Sequence, residues 1–181
     1  MHAIKDHTAA HALSAALRAA GRPSQIQIPL PPVPISLSLL AVYLCGALLG
    51  RRWGAAAVSC YVALGAVGVP VYAGFAAGVS VLFGPTGGFL WGYIPCAYSV
   101  SALSRRLGFT RRGLCVSMAV GTAVCYALGT LWFALVTGTG FDASLTVCVL
   151  PFIPGDLVKI ALAASLSLRL QKPLRSVGLC V

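Results

Sequence analysis

The sequence predicts an all-α integral membrane protein, a bundle of six transmembrane helices. Only 9% of the 181 residues are charged, 59% are hydrophobic, and the mean hydropathy is +0.91, which excludes an ordinary soluble domain. Residues 53–104 carry no charge at all and are long enough for two spans. The 13 Lys and Arg residues, against 3 Asp and Glu, gather at the ends of apolar stretches. That distribution is typical of membrane topology and not of a nucleic-acid-binding face.

The spans are expected to form a single membrane domain, residues 1–181, and each boundary has a local cause. The first span is alanine-rich, and the Pro-rich residues 26–34 separate it from the second, which stops at Arg51 and Arg52. Glycines and prolines divide the third span from the fourth, and a basic loop precedes the fifth. A polar loop containing Asp142 and a Pro-broken segment lead into the sixth. We place the spans at about residues 8–22, 35–50, 54–69, 87–104, 114–136 and 156–170.

The basic residues also predict the orientation of the bundle. Clusters follow the second, fourth and sixth spans, whereas residues 70–86 and 138–155 contain no Lys or Arg. The positive-inside rule therefore places both termini in the cytoplasm. The irregular Gly- and Pro-rich segments then share the outer end of the bundle, as an externally facing pocket would require.

The most informative stretch is residues 151–159 (PFIPGDLVK), where two prolines and a glycine lead into a helix with one acid and one base. Asp156 is expected at or near the N-cap, and Lys159 one turn later on the same face. A helix from residue 156 to about 170 is only about 22 Å long, so its start falls inside a hydrocarbon core of about 30 Å. Broken backbone at that depth is a recurring feature of transporters. The pair is interpreted as a ligand site; the alternatives are an ion pair that only neutralises itself, or a capping Asp beside a snorkelling Lys.

A second candidate element is the Gly-rich turn, defined here as Gly84, Pro85, Thr86, Gly87 and Gly88. Its backbone amides could approach a ligand, or it could be only a tight turn before a helix. Several flanking aromatic residues could line a pocket for an apolar ring: Tyr72, Phe75, Trp91 and Tyr93. The other aromatic residues, such as Tyr126, are interpreted as interfacial anchors or packing residues.

No catalytic or metal-binding pattern accompanies these elements. The Gly-rich turn lacks the Lys-Ser/Thr of an ATP-binding loop, and the sequence contains neither Gly-x-Ser-x-Gly nor His-Glu-x-x-His. The seven cysteines form no Cys-x-x-Cys pair and are expected to be small core residues. An enzyme, a metal site and a cofactor are therefore not expected.

The first span carries small residues at every fourth position, at Ala12, Ala16 and Ala20. This spacing lets helices approach closely in lipid. Alanine is also simply a good helix former, so the spacing alone leaves both interpretations open.

Four segments, in their order and spacing, closely resemble the BioY family, the biotin-specific substrate-binding (S) components of energy-coupling factor (ECF) transporters. They are residues 33–37 (VPISL), 61–74 (Y-x3-G-x2-GVPVYAG), 84–93 (GPTGGF-x2-GY) and 151–159. Ser38 departs from the usual pattern, in which a Gln stands at this position.

The resemblance implies a six-helix membrane protein that captures biotin from outside. Its coupling module, a transmembrane T component and two ABC-type ATPases, would be separate chains. Asp156 and Lys159 would be polar ligands of biotin: Asp156 would accept from a ureido N–H, and Lys159 would donate to the ureido oxygen or pair with the valerate carboxylate. The Gly-rich turn and Tyr72 would shape the pocket, and the small residues of the first span would dock on the T component.

Two alternatives to biotin uptake remain at this point. One is an S component for another vitamin or a biotin precursor. The other is a non-transport membrane scaffold, in which Asp156 and Lys159 form only a structural pair.

Overall fold

The structure is a computed structural model that describes residues 38–176, with side chains described as far as residue 171. The expected first span, with Ala12, Ala16 and Ala20, lies outside these residues. Within the described range every regular element is helical. The α-helices are α1 (Ser38–Ala66), α2 (Val79–Phe83), α3 (Gly87–Leu107), α4 (Arg111–Thr137), α5 (Phe141–Cys148) and α6 (Ile153–Ser176), and a 3-10 turn occupies Ala73–Phe75.

Helix α1 is two antiparallel helices joined by a sharp reversal at Gly50. This glycine has φ 81° and ψ 177°, a backbone conformation that only glycine adopts readily. The hydroxyls of Ser38 and Tyr61 lie 3.3 Å apart, whereas 23 residues of straight helix would separate them by about 35 Å. The second and third expected spans are therefore separate helices that pack side by side.

Helix α3 is the central element, because it packs against both α1 and α4. Close backbone approach makes these contacts possible. A β-carbon on Gly46 of α1 would lie 2.6 Å from the Ala97 carbonyl oxygen, and one on Gly121 of α4 would lie 2.7 Å from Val100. Helices in lipid associate through such small-residue contacts, since apolar burial alone does not hold them together.

Several helices bury polar side chains and expose large apolar ones, unlike the helices of a soluble protein. On α6, Asp156 and Lys159 are 5% and 8% exposed, while Leu157 and Val158 between them are 61% and 60% exposed. Helix α4 likewise buries Ser117 and presents leucines outward. A charged pair faces inward and large apolar side chains face outward, as expected where the surrounding solvent is lipid.

By length and apolar composition alone, fewer helices qualify as membrane spans than the sequence predicts. Among the residues described, α4 is long and apolar enough to cross a bilayer by itself. Phe141–Cys148 and Ile153–Gln171 meet the same requirement only together, and they are bent by 54° at the short break between them. The broken backbone expected before Asp156 is present at this bend.

Two local expectations were wrong. The segment around Asp142 was expected to be a loop, but it forms α5, with Asp142 in the first turn, where a carboxylate favours the helix N-terminus. Helix α6 begins at Ile153, three residues earlier than expected. The Asp156 amide already donates to the Phe152 carbonyl at 2.9 Å, so Asp156 lies within the first turn, near the N-cap as expected but not at it.

Candidate functional site

The centre of the candidate site is the ion pair at the start of α6. Lys159 Nζ donates to Asp156 Oδ1 at 2.7 Å, and both side chains are buried. The expected shared face is therefore confirmed, because a spacing of three residues brings the two side chains together on a helix. An ion pair alone fits both a ligand site and self-neutralisation, so the surroundings of the pair have to distinguish them.

A third polar group completes the pair from another helix. The Tyr126 hydroxyl, on α4, donates to Asp156 Oδ2, the carboxylate oxygen that Lys159 does not contact. Tyr126 lies 30 residues from Asp156 in the sequence. A buried ion pair requires further hydrogen bonds of this kind, and this one holds the carboxylate from a second helix.

Tyr126 also contacts the helix that follows the Gly-rich turn. Its ring meets Phe89 of α3 edge-on, with centroids 6.5 Å apart and planes at 81°. Phe89 lies against the backbone of α4, where a β-carbon on Gly129 would come within 2.3 Å of the phenyl ring. Tyr126 therefore connects the ion pair on α6 to the first turn of α3.

The Gly-rich turn is held against the same helix, α4. Trp132 Nε1 donates to the Gly84 carbonyl at 3.0 Å. Gly87 and Gly88 are buried, and β-carbons there would lie 1.8 Å from the Leu82 carbonyl oxygen and 2.2 Å from Trp132 Cβ. The turn is thus built from glycines because neighbouring groups leave no room for side chains, while Pro85 is exposed and Thr86 is half-buried.

Tyr72 lies in a buried cluster beside the end of α1. Its hydroxyl donates to the Val62 carbonyl at 2.6 Å, and its ring meets Tyr61 edge-on at 6.0 Å. Tyr61 in turn donates to the Val71 carbonyl at 2.8 Å. These crossed bonds tie the chain after α1 back onto α1, so the Tyr72 hydroxyl is already used within the protein.

Ser38 belongs to this cluster as well. Because the single Tyr61 proton is donated to Val71, the Ser38 hydroxyl is the donor in its 3.3 Å contact with the Tyr61 oxygen. The short side chain at this position thus completes an internal hydrogen-bond chain.

The site contains a carboxylate and an ammonium group, both buried. Asp156 retains free lone pairs for a ligand N–H, and Lys159 has three donor positions, of which Asp156 takes one. Across the residues that the structure describes, no three His, Cys, Asp or Glu side chains lie together as metal ligands would. The arrangement can bind a small molecule that has both N–H donors and an acceptor.

Comparison with known proteins identifies the family. The BioY family model matches residues 2–176. The chain belongs to the BioY family. The all-helical membrane fold and the resemblance found in the sequence are confirmed by this match and by the relatives below.

BioY relatives match over most of their length. The chain is 39% identical to the biotin transporter BioY of Thermotoga maritima, over 81% of this chain and 86% of that protein. It is 38% identical to the probable biotin transporter BioY of Pyrococcus horikoshii, over 88% and 93%. A crystal structure of the S-component for biotin from an ECF-type ABC transporter superposes with a TM-score of 0.82 at 25% identity, covering 93% of this chain and 90% of that one. The BioY chain therefore has the S-component fold.

One residue of the candidate site was missed by sequence reasoning. From the sequence, Tyr126 is interpreted as an anchoring or packing aromatic residue, because nothing in its local sequence distinguishes it. A weak signal existed: Tyr126 is a tyrosine near the middle of a 27-residue helix, where a hydroxyl needs a partner away from water. The identity of that partner could not be read from α4 alone.

Proposed function

We propose that this chain is the substrate-binding subunit of a membrane transporter, which captures biotin from the outer side of the cell membrane for import. The observation that carries the proposal is the buried Asp156–Lys159 pair at the start of a broken helix, in a chain that belongs to the BioY family. Ionisable groups inside a membrane are costly and mark ligand sites by default.

Biotin carries groups that complement this pair. Its ureido ring has two N–H donors and a carbonyl acceptor, and its valerate chain ends in a carboxylate. Asp156 accepts from a ureido N–H, and Lys159 donates to the ureido oxygen or, alternatively, pairs with the carboxylate. The Gly-rich turn and Tyr72 shape the pocket around the bicyclic ring.

Energy for import comes from separate chains. The partners are a T component and two ABC-type ATPases, to which the first span docks through Ala12, Ala16 and Ala20. This chain itself is neither an enzyme nor dependent on a cofactor, and it binds no nucleic acid. Its termini are cytoplasmic, since the basic clusters follow alternate spans.

Equilibrium binding of radiolabelled biotin to the purified chain in detergent tests the proposal. Tight binding is expected for the wild type, and Asp156→Ala should weaken it at least about tenfold, since a buried contact is lost. Asp142→Ala is the matched control, because Asp142 is an exposed carboxylate on α5. Absence of binding by a well-folded wild type would refute biotin as the substrate.

The same assay separates the alternatives. Competition by other vitamins or by biotin precursors, stronger than by biotin itself, would indicate a different substrate. A scaffold protein would bind none of them, and Asp156→Asn would then change only the stability of the protein.

A further inference from the structure

We infer that Tyr126 is a positioning residue for the substrate: its hydroxyl holds the Asp156 carboxylate in the orientation that receives the ligand. The inference rests on the proposed function, because it assigns Tyr126 to the same site. It adds a residue from α4 to a site that the sequence located on α6, the Gly-rich turn and Tyr72.

The two carboxylate oxygens of Asp156 have different partners. Oδ1 accepts from Lys159 on the same helix, and Oδ2 accepts from Tyr126 on α4. Two partners, one on each oxygen, restrict rotation of the carboxylate about its χ2 torsion, which would otherwise be broad. Each oxygen still has a second lone pair, so the carboxylate remains able to accept from a ligand N–H.

The position of Tyr126 is itself determined by packing. Its ring lies edge-on to Phe89, and Phe89 is held by the close approach of its ring to Gly129. The Cys125 thiol also donates to the Phe89 carbonyl at 3.7 Å. The Tyr126 hydroxyl is therefore presented to Asp156 by the same contacts that join α4 to the start of α3.

This arrangement lowers the cost of binding. A ligand that meets a carboxylate already held in place does not have to immobilise it, and such preorganisation increases affinity without adding a contact. Tyr126 is suited to this role because its hydroxyl is neutral, so it orients Asp156 while leaving the charge balance to Lys159. A second cation at this place would instead compete with the ligand for Asp156.

Biotin binding by Tyr126→Phe tests the inference. This change removes only the hydroxyl and keeps the ring against Phe89. Affinity is expected to fall about tenfold, since one hydrogen bond to a charged group is lost. Tyr98→Phe is the matched control, because Tyr98 is half exposed on α3, and it should bind as the wild type does. Wild-type affinity in Tyr126→Phe would overturn the inference, whereas a wild type that fails to bind would overturn the proposed function instead.

A double-mutant cycle distinguishes positioning from a general structural effect. If Tyr126 acts through Asp156, adding Tyr126→Phe to Asp156→Ala, which has no side-chain acceptor, should weaken binding no further. An equal additional loss in that background would show that Tyr126 acts independently of the carboxylate, and the inference would be wrong. If the Asp156→Ala protein binds too weakly to be measured, the cycle is run with Asp156→Glu, whose longer side chain changes the position of the carboxylate relative to Tyr126. In that background too, no further loss of binding supports the inference and an equal additional loss contradicts it.

Discussion

Gly88 of α3 and Trp132 of α4 approach so closely that a β-carbon on Gly88 would lie 2.2 Å from Trp132 Cβ. The indole N–H of the same tryptophan donates to the Gly84 carbonyl at 3.0 Å. Trp132 therefore holds the Gly-rich turn at both ends. Since Tyr126 lies on the same helix, one element positions both the turn and the Asp156 carboxylate.

Replacing Gly88 should displace the turn. Gly88→Ala puts a methyl group into the space of the Trp132 side chain, and overpacking of this kind costs about 1–3 kcal/mol. We expect a lower melting temperature in detergent and weaker biotin binding. Gly155→Ala, in the other predicted site segment, is the control, because nothing lies within 4 Å of a β-carbon there. Equal behaviour of the two variants would contradict this account of the turn.

Removing the lysine of the ion pair should affect both binding and stability. Lys159→Ala leaves Asp156 buried with only Tyr126 as a partner, and we expect biotin affinity to fall at least about tenfold, or about 1.4 kcal/mol. Breaking a buried ion pair also costs about 3–5 kcal/mol of stability. Titration calorimetry and thermal unfolding measure the two effects. Arg169→Ala, at an exposed position of the same helix, should change neither; unaltered affinity in Lys159→Ala would remove Lys159 from the site.

Variants of Tyr72 should distinguish a structural role of its hydroxyl from a pocket-lining role of its ring. Tyr72→Phe loses the bond to the Val62 carbonyl, so we expect a loss of about 1 kcal/mol in stability. Biotin affinity should stay within about threefold of the wild type, because that hydroxyl is already used. Tyr72→Ala, which also removes the ring packed against Gly65, should weaken binding more strongly. A large loss of affinity in Tyr72→Phe at unchanged stability would show that the hydroxyl contacts the ligand.

The reversal within α1 depends on the backbone conformation of Gly50. At φ 81° and ψ 177°, an alanine would be strained by about 1–3 kcal/mol. Gly50→Ala should therefore lower the melting temperature, and circular dichroism during heating measures the change. Gly140→Ala is the control, since Gly140 has an ordinary φ of −59° and open space around it. The strain argument fails if the two variants melt together.

The small residues of the first span should matter for coupling and not for binding. Ala16→Leu enlarges the surface predicted to dock on the T component. We expect biotin binding to be unchanged and energised uptake to fall in membranes that contain the complete transporter. Ala127→Leu, at an exposed position of α4, should alter neither. Undiminished uptake in Ala16→Leu would contradict the docking surface.

The ion pair at the centre of the site was predictable because its two residues lie close together in the sequence. Asp156 and Lys159 are three residues apart, and helical periodicity alone places them on one face. The prolines and glycine before them predicted a break in the backbone, which the structure has slightly earlier, at residues 149–152 between α5 and α6, while Pro154 and Gly155 lie within α6. The short helix α5 was not predicted, since eight residues give too few turns for a clear hydrophobic period.

By itself, the sequence determined the membrane environment, the long helices within residues 38–176 and the acid–base pair, because composition and spacing within one turn do not depend on the rest of the fold. Only the tertiary structure decided that Tyr126, 30 residues away, meets Asp156, and that Trp132 meets the Gly-rich turn. Such contacts depend on the rotation and approach of whole helices. In this chain the approach of the helices is determined where glycines such as Gly88 and Gly129 let side chains of another helix reach the backbone.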